Sequence, residues 1–187
     1  MQGVDGKRIA ALIGDGYEEA DLVEPRRALE EAGAVVTIVG LDERSRQKIR
    51  GKRGLDDGGS VRAEELVADC TAEDFDAVLI PGGASPDHLR TSKEVQRLVR
   101  EFDAAKKPIF AIGHGAQVLI SAQLVRSRQV TGAHSIADDI RNAGGLYRDQ
   151  PVVQDSNWVT TRGAEDLPQF NRSMLEKLAA SGAAPAA

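Results

Sequence analysis

Residues 108–124, PIFAIGHGAQVLISAQL, decide the fold class. Pro108–Ile112 is a short continuous apolar run, the pattern of a strand buried on both faces. Gly113-His114-Gly115 interrupts it, and an apolar helical run resumes from Ala116 to Leu124. A buried strand passing through a glycine-rich turn into a helix is the repeating unit of an α/β sheet. It is also the shape of a nucleophile elbow, in which a strained residue stands above the sheet and the first helix amides face the same space. A plain glycine-rich strand–helix turn has the same pattern, and the pattern alone weighs the two equally.

The same alternation extends in both directions. Upstream, Ile9–Ile13 (IAALI) reads as a strand ending in Gly14-Asp15-Gly16, and Leu22, Pro25, Leu29 and Ala32 recur at helical spacing before Gly33. Pro25 inside that pattern predicts a kink, or a helix that effectively begins there. Ala34–Val39 and Phe75–Ile80 are two more buried strands, the second stopped by Pro81-Gly82-Gly83, and Val95, Leu98, Val99 and Phe102 mark one face of a helix. Downstream, Val152-Val153 and Trp158–Thr161 predict a hairpin turning at Asp155-Ser156-Asn157. Leu167, Phe170, Leu175 and Leu178 predict a last helix, and Ala180–Ala187 a frayed tail. Residues 42–60 are polar, charged and glycine-rich and carry no predicted element; within them Arg44–Arg53 (RSRQKIRGKR) reads as a solvated loop.

Buried strands alternating with helices imply a mostly parallel sheet covered by helices on both faces. Ligands in such sheets sit beyond the carboxyl ends of the strands. That rule points at three loops: Gly14–Glu19, Pro81–Asp87 and Gly113–Gly115.

Composition narrows the function classes. The 187 residues carry 24 Lys and Arg against 29 Asp and Glu, a net charge of −5, and aromatic residues are 4%. An acidic chain with few stacking side chains is not expected to bind nucleic acid. Its apolar runs are too short to span a bilayer and its start lacks a signal-peptide core, so a cytoplasmic protein without membrane contact is expected. One cysteine, Cys70, excludes an intrachain disulfide, and the three histidines lie too far apart in sequence to suggest a zinc site. No metal and no cofactor is expected. Gly14-Asp15-Gly16-Tyr17-Glu18-Glu19 begins like a dinucleotide fingerprint, but Glu19 stands at the third glycine position, where its carboxylate would oppose a pyrophosphate.

The segments GYEEADLVEPRRALEEAG, GKRG, FDAVLIPGGASPDHLR, KPIFAIGHGAQVLISA, DDIRNAGG and NWVTTRGAEDLP, in this order, resemble the ThiJ/PfpI family of PfpI-type intracellular proteases and the Parkinsonism-associated deglycase. The resemblance covers roughly residues 7 to 179. It implies a three-layer α/β/α sandwich, flavodoxin-like and mostly parallel, as one domain over 1–187 with a core of about 7–179 and a flexible tail at 180–187. It implies a homodimer or larger homo-oligomer and a role in stress response, hydrolysing peptides or acting on reactive carbonyls.

Carried over by position, the resemblance places Glu18 at the carboxylate that hydrogen-bonds the family's reactive cysteine. Asp87 falls where PfpI-type oligomers carry a glutamate that reaches a neighbouring subunit's active site, one methylene shorter here. His114 matches the histidine after the nucleophile, Gly83 the loop glycine whose amide lines an oxyanion pocket, and Gly115 the next elbow position. His134 lies where family members often carry an aromatic near the pocket. The nucleophile is replaced: Gly113 stands where the family has cysteine. Cys70 falls before the Phe75 strand and reads as a small structural residue. Ser85 and Ser135 lie near the site, but loop serines ordinarily cap or solvate turns, and a serine nucleophile needs a base within hydrogen-bond distance.

The leading expectation is therefore a ThiJ/PfpI-like protein whose cysteine-dependent activity is lost at Gly113, with a pocket retained for a small polar or carbonyl ligand or a peptide. One alternative is acid–base catalysis by Glu18 with His114 or His134, without a covalent intermediate. The other is a non-catalytic oligomeric interaction protein.

Overall fold

Seven strands form the central sheet, in the spatial order Val152–Asp155, Trp158–Thr161, Ile109–Ile112, Ala77–Ile80, Arg8–Leu12, Val35–Gly40 and Glu65–Leu66. The structure, a computed structural model, describes residues 3–181. Every neighbouring pair in the sheet is parallel except Val152–Asp155 with Trp158–Thr161, the hairpin predicted from the sequence. Helices Glu19–Glu31 and Leu167–Ala180 cover one face; Lys93–Ala104, Ala116–Ser121 and Ala137–Asn142 cover the other. The chain is thus a mostly parallel sheet sandwiched by helices, a flavodoxin-like α/β fold.

Period-two alternation divides the core. Along the first strand, Ile9 and Ala11 point to the layer containing Leu22, Leu29, Phe170 and Met174, while Ala10 and Leu12 point to the layer of Leu98, Phe102 and Trp158. Both sets are fully buried, which is why these strands read as unbroken apolar runs. Helix Lys93–Ala104 buries Val95, Leu98, Val99 and Phe102, the predicted face, and begins at Ser92, whose hydroxyl accepts the Val95 amide at 3.2 Å. The last helix buries Leu167, Phe170, Met174 and Leu178; Leu175 lies at the margin of that core.

Three expectations are corrected. The first helix begins at Glu19, not at Pro25, so Pro25 sits in its second turn and is buried. Its start is fixed by the strand Tyr17–Glu18, which pairs with residues 51–52 and bridges Gly83. Residues 42–60 are not without structure. Asp42 caps a short 3₁₀ turn over Glu43–Arg46, and Ile49–Arg53 pairs antiparallel with Asp56–Val61 as a hairpin. The second half of the basic stretch is therefore a strand, with Arg50, Lys52 and Arg53 facing Asp15, Asp57 and Glu19. The apolar helical run expected to Leu124 ends at Ser121. Of the predicted frayed tail, 182–187 lie outside the described residues. Among the described residues no helix is long and apolar enough to cross a membrane.

Candidate active site at the Gly113 elbow

The fully buried strand Ile109–Ile112 delivers the chain to Gly113, which adopts φ +55° before the 3₁₀ turn Gly113–Gly115 and the helix Ala116–Ser121. That left-handed backbone costs an ordinary residue about 1–2 kcal/mol and glycine almost nothing. A Cβ built at Gly113 meets only the Arg162 carbonyl oxygen, at 3.4 Å. The elbow thus has a left-handed backbone and room for a side chain, but carries none. Gly115 is different: a Cβ there would strike the Ile80 carbonyl, so this glycine lets the helix pack on the end of the neighbouring strand.

The three loops named from the sequence converge here. The Gly82 carbonyl accepts the Glu18 amide at 3.2 Å, the Ala84 amide donates to Gly16 at 2.8 Å, and the Gly14 amide donates to the Ser85 hydroxyl at 2.8 Å. Gly82 packs so tightly that a Cβ would lie 2.8 Å from the Ile112 carbonyl oxygen and 2.8 Å from Asp21 Oδ2. Gly83 has φ +76°, and a side chain there would run into Gly16 and Glu18. Ser85 is fully buried and engaged with the Gly14 backbone.

Glu18 and Asp21 take different positions. The Glu18 carboxylate accepts the Gly54 amide at 2.9 Å and so is tied to the hairpin tip. Asp21, one helical turn later, is the carboxylate turned into the loops: it is 3% exposed, its Oδ2 accepts the Gly82 amide at 3.0 Å, and its Oδ1 has no hydrogen-bond partner among the described residues. Burial pushes its carboxyl up to about 7, the Glu18 charge adds to the rise, and the Gly82 amide opposes it. A carboxyl group titrating near neutrality can hold or release a proton beside a ligand. Sequence reading passed over Asp21. Its signal is an acid four residues before Pro25 and next to Leu22, on the helix face that carries the buried residues.

His114 is half-buried, and its Nε2 lies 3.0 Å from Ser135 Oγ. His134 is exposed in the 3₁₀ turn His134–Ile136, and Asp87 is exposed on the short helix Ser85–Leu89. Cys70 lies away from the elbow, in the core layer with Val67, Phe75 and Phe102. Burial pushes its thiol up to about 11, with Glu65, Asp74 and Asp69 adding to the rise and Arg97 opposing it. The thiol is accordingly protonated at neutral pH and unreactive. Among the described residues no group of three or more His, Cys, Asp or Glu is arranged to hold a metal ion.

The DJ-1/PfpI family model matches residues 7–177. The chain belongs to the DJ-1/PfpI family. It is 39% identical over 175 residues to protein/nucleic acid deglycase 2 of Escherichia coli (strain K12), covering 93% of this chain and 99% of that one. General stress protein 18 of Bacillus subtilis (strain 168) is 39% identical over 175 residues, covering 92% and 98%. Among solved structures, a two-domain protein of Anabaena variabilis, containing DJ-1/ThiJ/PfpI-like and ferritin-like domains, superposes with a TM-score of 0.87 at 37% identity. That match covers 96% of this chain and 50% of the two-domain protein. In this DJ-1/PfpI chain the turn between Ile109–Ile112 and Ala116–Ser121 is built on Gly113.

Proposed function

We propose that this is a DJ-1/PfpI-family stress protein without the family's cysteine-dependent hydrolase or deglycase chemistry, which binds a small polar or carbonyl compound, or a peptide end, in front of the elbow. The observation that carries this reading is Gly113: φ +55°, an open Cβ position and no nucleophile. Loss of a nucleophile costs a hydrolase on the order of 10⁶ in turnover, and Cys70 is buried elsewhere. Relatives named deglycase and general stress protein support the ligand class and the setting.

Consumption of methylglyoxal and of a fluorogenic peptide, compared between the unaltered chain, Gly113→Ala and Gly113→Cys, tests it. The unaltered chain and Gly113→Ala are expected to match each other, and Gly113→Cys to exceed both. An unaltered chain that already turns over methylglyoxal as fast as Gly113→Cys overturns the reading.

A second reading is favoured by Asp21. A buried carboxyl group poised near 7, with one oxygen lacking a hydrogen-bond partner among the described residues, supports acid–base chemistry on a bound carbonyl without a covalent intermediate. In that case Asp21→Asn abolishes turnover, whereas Glu18→Gln, whose carboxylate serves the Gly54 amide, leaves most of it.

A further inference from the structure

Ser135 is not occupied as loop serines usually are. Ser85 accepts the buried Gly14 amide, Ser92 caps the helix Lys93–Ala104, and Ser45 completes the capping box of Asp42. Ser135 opens neither of the elements beside it: the turn His134–Ile136 starts from Ala133, the helix Ala137–Asn142 from Ile136, and neither has a side-chain cap. Its hydroxyl makes one side-chain hydrogen bond among the described residues, to His114 Nε2 at 3.0 Å.

Both partners of that bond stand on backbone locked to the core. His114 follows Gly113 directly in the elbow turn. The segment leading to Ser135 is pinned by the Thr131 amide, which donates to Thr160 Oγ1 at 3.0 Å, and by Ile136, which is 3% exposed. Between them Gly132 lies flat against the elbow, where a Cβ would sit 2.9 Å from the Gly113 carbonyl oxygen. Ser135 is an exposed residue, on the solvent side of the elbow turn. A hydroxyl held against an imidazole nitrogen, reachable from solvent and on rigid backbone, meets the geometric requirement for an activated serine.

We infer that Ser135 and His114 form a serine–histidine dyad that carries out acyl transfer on small carboxylic esters beside the vacant elbow position. In the tautomer protonated on Nδ1, His114 accepts the Ser135 proton at Nε2 as Oγ bonds to the acyl carbon and the carbonyl electron pair moves onto oxygen. Collapse of that intermediate breaks the bond to the alcohol, which leaves with the proton from Nε2. Water then attacks the acyl-serine, gives one proton to Nε2, and releases the carboxylic acid as Oγ recovers that proton. No carboxylate among the described residues bonds the His114 ring, so the base is an unassisted imidazole. The substrates that suit it are esters with acidic leaving groups, whose expulsion needs little proton transfer.

The dyad goes beyond the proposed function, since it requires neither turnover of an aldehyde or ketone nor the loss of a thiol, and a negative methylglyoxal result leaves it standing. The test uses p-nitrophenyl acetate with the full chain, following nitrophenol release and locating the acetyl group by peptide mass spectrometry. The expected result is a burst approaching one nitrophenol per chain and acetylation of Ser135. Ser135→Ala and His114→Gln should each lower the rate by at least about tenfold and abolish the Ser135 adduct. Ser135→Cys should restore a burst, with the acetyl group on the new thiol, which guards against a folding effect of the other variants. Acetylation confined to lysines or to His114, or a rate in Ser135→Ala within about twofold of the unaltered chain, overturns the proposal.

Discussion

Asp21 accepts the Gly82 amide at 3.0 Å through one carboxylate oxygen and keeps the other buried without a hydrogen-bond partner among the described residues. The bond ties the start of the first helix to the loop after Ala77–Ile80, and that loop in turn touches the elbow, since Gly82 packs on the Ile112 carbonyl. A hydrogen bond to one oxygen does not offset the desolvation of a whole carboxylate. The consequence is a carboxyl group that favours its neutral form in the folded chain.

That preference gives stability a defined pH dependence. Unfolded, Asp21 titrates at the ordinary 3.8; folded, it titrates at about 7. Between these values folding takes up a proton, so the contribution is fully present below about pH 4, declines as pH rises through 7, and is flat above that. The displacement corresponds to on the order of 4 kcal/mol at most. Urea denaturation of the unaltered chain and of Asp21→Asn, across this range, isolates the effect from other carboxylates. The variant should gain on the unaltered chain as pH rises to about 8; a difference independent of pH refutes the assignment.

The elbow glycine and the loop glycine should respond differently to a methyl group. At Gly113 the space is open and the cost is backbone strain alone, so Gly113→Ala should lower stability by about 1–2 kcal/mol. At Gly82 a Cβ meets Asp21 Oδ2 and the Ile112 carbonyl oxygen at 2.8 Å each. Gly82→Ala must displace backbone and should cost clearly more, above about 3 kcal/mol. Denaturant titration of the two variants checks the order, and equal losses contradict the packing described.

Much of this arrangement is legible in the sequence because central parallel strands are buried on both faces. IAALI, FDAVLI and PIFAI can hardly be read otherwise, and the glycines after them mark the loops that meet at the strand ends. The hairpin Ile49–Val61 is not legible, because its buried side chains are few: Ile49 and Gly51 are buried, while Asp56–Val61 has no buried residue. It is held by backbone pairing and by the carboxylates of Glu18 and Glu19, which are partners distant in sequence. The same distance hid the burial of Asp21. A reading by motif position selects Glu18; that Asp21 is the more deeply buried carboxylate depends on the helix starting at Glu19, and that start is set by the strand pairing of Tyr17–Glu18 with the hairpin.

Ser85 and Ser135 give a paired prediction on stability. Ser85→Ala leaves the buried Gly14 amide without its acceptor and should cost about 1–3 kcal/mol. Ser135 is exposed and caps no helix, so Ser135→Ala should change stability by no more than about 0.5 kcal/mol. Thermal and urea denaturation distinguish them. A large loss in Ser135→Ala contradicts this exposed, non-capping placement of Ser135, and the dyad is then decided by the Ser135 acetyl adduct and the Ser135→Cys burst.

The hairpin depends on Glu19, although its carboxylate belongs to the first turn of a helix. It accepts the Gly59 amide and the Arg53 guanidinium, the latter at 3.1 Å, and those two contacts, the amide first, hold its carboxyl below the usual range. Glu18 adds the Gly54 amide at 2.9 Å, so adjacent acids grip both strands near the tip. Leu55 at that tip is 99% exposed and contributes no burial of its own. In Glu19→Ala, amide hydrogen exchange should therefore accelerate through residues 49–61, most at Gly59, by about tenfold or more. Exchange in Ile109–Ile112 and Ala77–Ile80 should stay at its original rate, since those strands are locked in the core. If exchange rises equally in the central sheet, the hairpin is part of the global folding unit, not a locally anchored flap over the start of the first helix.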